Sequence, residues 1–199
     1  MILVLALALG LLLGLGWAGW HQQTYQIPAL RSAWLALIAF LPQLIIAYLP
    51  STRHILPNWL ASTLFLASLF LFLTFAWINR HLPGMPILIV GLLLNLVVIL
   101  ANGGWMPIGP QTANRLAGRD VSELVSLGSR FGQKDILLLP QNTHLEFLAD
   151  RFLPPAWFPY QVAFSLGDIF IGSGVFWLLA YPSTKAKIPS KERVHLDYI

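Results

Sequence analysis

The sequence predicts an all-α integral membrane protein with five transmembrane helices. Three observations predict it. Of 199 residues, 57% are apolar and 10% charged, with mean hydropathy +0.70. The apolar residues gather into five long runs, and the tryptophans mark the ends of those runs. A soluble domain carries roughly a quarter charged residues, so this chain has too few charges to cover a globule of its size.

A spanning helix needs about 20 mostly apolar residues. Residues 1–20 are the first candidate and carry no charge. They lack the basic start and small-residue cleavage site of a signal peptide, so the segment is expected to be retained. Residues 33–49 are the second span, interrupted by Pro42 and Gln43, and 59–78 the third. Residues 86–101 are the fourth, short unless Asn102-Gly103-Gly104 continues at membrane depth; 160–181 are the fifth. Trp favours the interface, where its ring is buried and its N–H stays hydrated. Trp17, Trp20, Trp34, Trp59, Trp77, Trp105, Trp157 and Trp177 all sit at or near run ends.

One membrane domain therefore covers 1–181, with an extramembrane or interfacial segment at 102–159 and a polar tail at 182–199. Within the segment, Asp120-Val-Ser-Glu123 and Thr143-His-Leu-Glu146 match helix capping boxes. Leu145, Leu148 and Phe152 share one helical face, with Glu146 and Asp150 on another. Short amphipathic helices lying at the membrane surface are expected. The polar tail is expected to be disordered unless bound. Short loops decide orientation. Arg31, Arg80 and the tail with Lys185, Lys187, Lys191 and Arg193 place the C-terminus in the cytoplasm. The N-terminus and residues 102–159 then lie outside a bacterial inner membrane.

Composition also excludes chemistry. There is no cysteine, hence no disulfide, thiolate nucleophile or Cys-ligated metal. No histidine occupies a mid-span position where a membrane haem would take its ligand. His144 falls on a different helical face from Glu146 and Asp150, so no metal site is expected. One intramembrane carboxylate leaves no aspartyl dyad in the bilayer. No Walker loop, HExxH or Ser-His-Asp spacing occurs. No catalytic residue and no cofactor is assigned. The net charge of +4 is scattered between apolar runs, which argues for lipid headgroups rather than nucleic acid. Membrane lipids are the expected partners, with other membrane-protein subunits a further candidate.

Asp168 is the most informative residue. Counted from Tyr160 it lies near mid-depth, where a carboxylate costs roughly 2.5–3.5 kcal/mol and should face the bundle interior. It could bind a proton or cation, or join helices through Asn95, Ser165 or backbone opened at Gly167. Asn102-Gly103-Gly104-Trp105-Met106-Pro107 reads as a helix stop whose exposed backbone could also hold an ion or headgroup. Ala6, Gly10, Gly14 and Ala18 are four apart on one face of the first span, suited to close helix packing within the bundle or against a partner. Pro42-Gln43 could gate a pathway, but a kink filled by neighbouring helices is commoner.

From the fourth span onward these motifs resemble a domain of unknown function found in small bacterial integral-membrane proteins. The matching residues are Asn95 in Gly91-Leu-Leu-Leu-Asn95, then Ala101-Asn102-Gly103-Gly104, Met106-Pro107, Leu148-Ala-Asp150, Pro159 and Ser165-Leu-Gly167-Asp168. Such proteins are typically basic after the first helix; here that stretch is Gly16-Trp-Ala-Gly-Trp-His21. The resemblance implies architecture without activity. It also implies that Asn95, Asn102 and Asp168 meet between the fourth and fifth spans.

The leading expectation is a non-catalytic accessory or assembly subunit of a larger membrane complex. The alternatives are small-ligand, ion or proton transport centred on Asp168, and a lipid-modifying enzyme at the outer interface. The last would need a polar pocket where Asp150, Arg151 or His144 converge.

Overall fold

The computed structural model describes residues 2–48, 56–121, 125–132, 134–158, 160–181 and 183–186. The chain is mostly helical. Five apolar helices are α1 (Ile2–Trp20), α2 (Ala33–Tyr48), α3 (Asn58–Ile78), α4 (Met85–Ala101) and α6 (Leu166–Ala180). They pack side by side in the order α1, α6, α4, α3, α2. Two of them, α1 and α3, are long and apolar enough to cross a membrane. The other three have 16, 17 and 15 residues, so five full-length spans are not met by length.

Local chemistry explains the shortening. Helix α4 stops at Asn102, with Gly103 and Gly104 at φ +74° and +87° and Gly104 N–H donating to the Ile99 carbonyl at 2.9 Å. The fifth helix does not begin near residue 160. Phe152 pairs with Phe164 in extended backbone, and α6 starts only after Ser165, which caps it. Asp168 is thus in the first turn of a helix, not at mid-span. Pro42 stays inside α2. The adjoining turn is served by a neighbour, since Ser68 Oγ donates to the Ala39 carbonyl and Gln43 Nε2 to Ser68 Oγ.

The segment between α4 and α6 differs most from expectation, because it is built on strands. Strand β2 (Met106–Ile108) lies parallel to β4 (Asp135–Leu137), and β3 (Arg130–Phe131) lies antiparallel on β4's other side. One short helix, α5 (Pro110–Ala117), precedes β3 and packs Ala113 with Ile108, Val121 and Leu137 into a small core. At 143–146 there is no capping box. Thr143 Oγ1 donates back to the Leu139 carbonyl, and Leu145 at φ +56° opens a single 3-10 turn, Glu146–Leu148. Of the box at 120–123, Ser122 and Glu123 fall outside the described residues, as do Pro159 and the tail from 187, while Asp120 accepts a hydrogen bond from Asn114 Nδ2 at 3.2 Å.

The sheet-bearing cap sits at one end of the bundle, where a Cβ on Gly104 would meet Ser62 near the start of α3 at 2.8 Å. At the other end β1 (Gln23–Gln26) pairs antiparallel with β5 (Ser183–Ala186), and buried Asn79 bonds both backbone groups of Arg31. Outward faces carry large apolar side chains such as Leu12, Leu37 and Trp77, each more than half exposed.

Candidate acid–base cluster and adjoining recess

Ser165 and Asp168 close the α6 N-terminus reciprocally. Asp168 N–H donates to Ser165 Oγ at 3.2 Å, and Ser165 N–H donates to Asp168 Oδ2 at 3.1 Å. Asn95, from the facing side of α4, completes a ring: its Nδ2 donates to Asp168 Oδ1 at 2.9 Å, and Ser165 Oγ donates to its Oδ1 at 2.9 Å. Gly91 and Gly167 let the backbones come this close, since a Cβ on Gly91 would lie 2.6 Å from the Gly167 carbonyl oxygen.

Asn102 does not join this ring. It donates to the Val98 and His144 carbonyls at 2.8 Å each and accepts from His144 N–H at 3.0 Å, which ties the cap to the end of α4. Met106 and Pro107, in the same motif, are fully buried in β2. Ala6, Gly10, Gly14 and Ala18 are the buried residues of α1. They lie against α6, where a Cβ on Gly10 would meet the Phe176 carbonyl oxygen at 2.8 Å.

The sequence reading missed the partners that the cap supplies. Parallel pairing sets Met106 opposite Asp135, so Lys134 and Asp135 sit beside β2, while Asp150 N–H donates to the Pro107 carbonyl from β2's other edge. Lys134 Nζ then reaches Asp150 Oδ2 at 2.9 Å and Asp168 Oδ2 at 3.7 Å. Asp150 is fully buried and Asp135 nearly so. The only sequence signal was a charged pair abutting the apolar run Ile136–Leu139, which Pro140 ends.

Among the described residues, one lysine thus faces three aspartates. Burial opposes the Lys134 charge, but Asp150, then Asp168 and Asp135, outweigh it and raise its pKa. Burial, opposed by Lys134, raises Asp150 above the ordinary aspartate value and Asp135 well above it. The Asp150 charge adds to the rise at Asp135. A like charge beside a buried carboxyl disfavours its ionisation, so Asp135 keeps a proton to higher pH than a free aspartate does.

That proton sets a pH dependence. A carboxyl whose folded pKa exceeds its unfolded value keeps a proton the unfolded chain has released. Its stabilisation is complete below about pH 4 and declines as pH rises toward the folded pKa. Asp135→Asn should flatten this decline, measured as Tm in detergent from pH 5 to 8. A variant whose Tm falls as steeply as the parent's would exclude Asp135 as the holder of the proton.

On the cap beside Asp150 is an open recess of about 200 Å³, lined by Gly109, Gln111, Thr112, Glu146, Asp150 and Arg151 among others. Of the three residues whose convergence would mark a polar pocket, Asp150 and Arg151 line it and His144 does not. Arg151 Nη1 and Glu146 Oε1 are 3.9 Å apart, and both side chains are about half exposed. No group of three or more potential metal-ligating side chains occurs among the described residues.

No solved structure matches the chain. An uncharacterized protein of Thermotoga maritima is 31% identical over 130 residues, which cover 64% of this chain and 68% of that one. A family model described as a family of unknown function, DUF5317, matches residues 28–180, a stretch that includes every member of the cluster and the recess. The chain belongs to the DUF5317 family.

Proposed function

We propose that this chain is a five-span membrane protein that takes up and releases a proton at the Asp135–Asp150–Lys134–Asp168 cluster, where its cap is seated on the bundle. The observation that carries the reading is the burial of Asp135 and Asp150 beside one lysine, Lys134, which lies 2.9 Å from Asp150 and 3.7 Å from Asp168.

Five crossings are supported by the pairing of β1 with β5 and of Arg31 with Asn79. Each pair is separated in sequence by an even number of apolar helices, as shared location on one side of a bilayer requires. The shorter helices measure roughly 22–26 Å at 1.5 Å per residue, and local thinning of the bilayer accommodates such lengths. Arg31, Arg80 and Lys185 belong to the β1–β5 end, which supports a reading with that end in the cytoplasm and the cap outside.

Two rival readings lose ground. Glycines bring α4 and α6 into backbone contact beneath Asp168, which leaves no opening there for a permeating solute. The small-residue face of α1, offered as a docking face for another subunit, is covered by α6.

The test is a pH titration of the purified full-length protein by infrared difference spectroscopy. A protonated-carboxyl C=O band should be present at neutral pH, lost in Asp135→Asn or Asp150→Asn, and retained in Asp120→Asn. A spectrum without that band at neutral pH would defeat the reading.

A further inference from the structure

We propose that the loop 153–163, which leads into α6, is seated in the headgroup–acyl boundary of the membrane leaflet on the cap side, with Trp157 as its anchor. The proposal rests on the five-span reading above and not on the proton-binding cluster. Residues 152–164 carry no charge, and only Tyr160 and Gln161 among them are polar. Phe152 and Phe164 close the base of the loop. They exchange N–H to carbonyl bonds at 3.1 and 3.0 Å, and their rings stack 5.7 Å apart. A loop of this length between two paired ends is a compact surface loop of the Ω kind. Ser165 follows the base directly and caps α6, so the loop springs from the point where a spanning helix begins.

The loop presents rings outward and folds its one amide side chain back onto its own backbone. Trp157 is 80% exposed and Tyr160 is exposed as well, and the Trp157 ring meets that of Phe158 edge-on at 6.0 Å. Pro154 and Pro155 have no N–H to hydrate. Phe158 N–H donates to the Pro155 carbonyl at 2.9 Å, and Gln161 Nε2 donates to the Pro155 and Phe158 carbonyls at 3.1 and 3.0 Å. In water those carbonyls would be solvated, and a glutamine would gain little by turning back to them. Where water is scarce an unpaired backbone group is costly, and the same bonds become necessary.

The surface fits lipid better than a soluble protein. A protein docking surface carries a polar, charged rim, and residues 152–164 offer none. Trp and Tyr concentrate where one end of the ring meets apolar matter and the other stays wet. Helix α6 has such a pair at its far end, the exposed Trp177 and Tyr181, and Trp157 and Tyr160 supply the matching pair before its start. The exposed Ile169 and Phe170 continue the apolar surface along the first turns of α6. The 15 residues of α6 rise about 22 Å, short of the roughly 30 Å hydrocarbon core. An uncharged loop at its first turn fills part of that deficit with side chains that lipid tolerates.

The chain has no cysteine, so one introduced cysteine carries a spin label at one site. Trp157→Cys and Tyr160→Cys report the loop, Leu12→Cys the exposed apolar face of α1, and Gln111→Cys the exposed surface of the cap. Each full-length variant is reconstituted into liposomes of phosphatidylcholine and phosphatidylglycerol. Oxygen, which collects in hydrocarbon, and a water-soluble nickel chelate then compete to relax the label. The oxygen-to-nickel accessibility ratio at Trp157→Cys and Tyr160→Cys should exceed that at Gln111→Cys by at least about fivefold and fall below that at Leu12→Cys. Because the label replaces Trp157, the native ring is read separately. The emission lost in Trp157→Phe should be quenched more by phosphatidylcholine brominated near the ester end of its chains than by lipid brominated near the methyl end.

A Trp157→Cys label as open to nickel as the Gln111→Cys label would overturn the proposal, as would Trp157 emission that neither brominated lipid quenches. A label shielded from both reagents would overturn it too, and would assign the loop to a protein partner. In each of these cases a Leu12→Cys label exposed to oxygen leaves the five-span reading standing. A Leu12→Cys label open to nickel would defeat that reading, and the seating of the loop with it.

Discussion

Lys134→Met should be the most damaging single substitution in the cap. It leaves Asp150 fully buried with Asp168 and Asp135 beside it and no neighbouring cation from this cluster. Breaking a buried ion pair by removing one partner costs about 3–5 kcal/mol. The low end, about 3 kcal/mol, applies because the Lys134 side chain is still 35% exposed and water screens part of the interaction. The penalty should shrink as pH falls, because the aspartates can then take up protons in place of the lost charge. Thermal unfolding in detergent, followed by tryptophan fluorescence at pH 8 and pH 5, reads both effects. Lys134→Arg should keep most of the stability, and Lys134→Met with Asp150→Asn should recover part of what the first change removes. A Lys134→Met protein as stable as the parent at pH 8 would mean that the aspartates are neutral without the lysine.

What the sequence disclosed divides along the range of the interactions. The ends of α1, α3 and α4 were legible to within about a residue, because Trp20, Trp59, Trp77 and the Asn-Gly-Gly stop are local signals. The start of α6 was equally local and was missed. Ser165-Leu-Gly167-Asp168 is itself a capping box, but hydropathy drew the helix back to Tyr160, through Phe164, whose extended backbone pairs with Phe152.

The contact between Asn95 and Asp168 could be anticipated, since a polar residue amid apolar helices needs a polar partner. Asn102 was grouped with them because it shares the family resemblance and a nearby depth, and its side chain instead reaches the cap at His144. The strands could not be read at all. β2 has 3 residues and β3 has 2, too few for an alternating pattern to show. Their pairing also joins segments far apart in the chain. Lys134 looked like one of many balanced loop charges, and only the β2–β4 register places it over Asp150 and Asp168.

The second large effect is expected in the helices. Gly167→Ala would drive a methyl group against Asn95 Oδ1, with the Gly91 carbonyl oxygen 2.8 Å away. Asn95 could turn aside only by giving up both of its hydrogen bonds, to Asp168 and from Ser165. The Gly91 backbone cannot turn aside without parting α4 from α6. Overpacking costs about 1–3 kcal/mol, and each net hydrogen bond lost adds roughly 1 kcal/mol. The sum is about 3 kcal/mol or more, concentrated where the cluster is assembled.

Gly16→Ala and Gly19→Ala in α1 are the controls, because a Cβ at either position meets nothing within 4 Å. There alanine's better helix propensity acts alone and should leave Tm unchanged or raise it slightly, by up to about 1 kcal/mol of stability. The contrast separates two uses of glycine that look identical in the sequence. If Gly167→Ala were as harmless as Gly16→Ala, the close approach of α4 and α6 would be wrong. Asn95 would then have no reason to be held against Asp168. If Gly167→Ala also abolished the carboxyl band, the helix contact below Asp168 and the proton site above it would prove to be one structural unit.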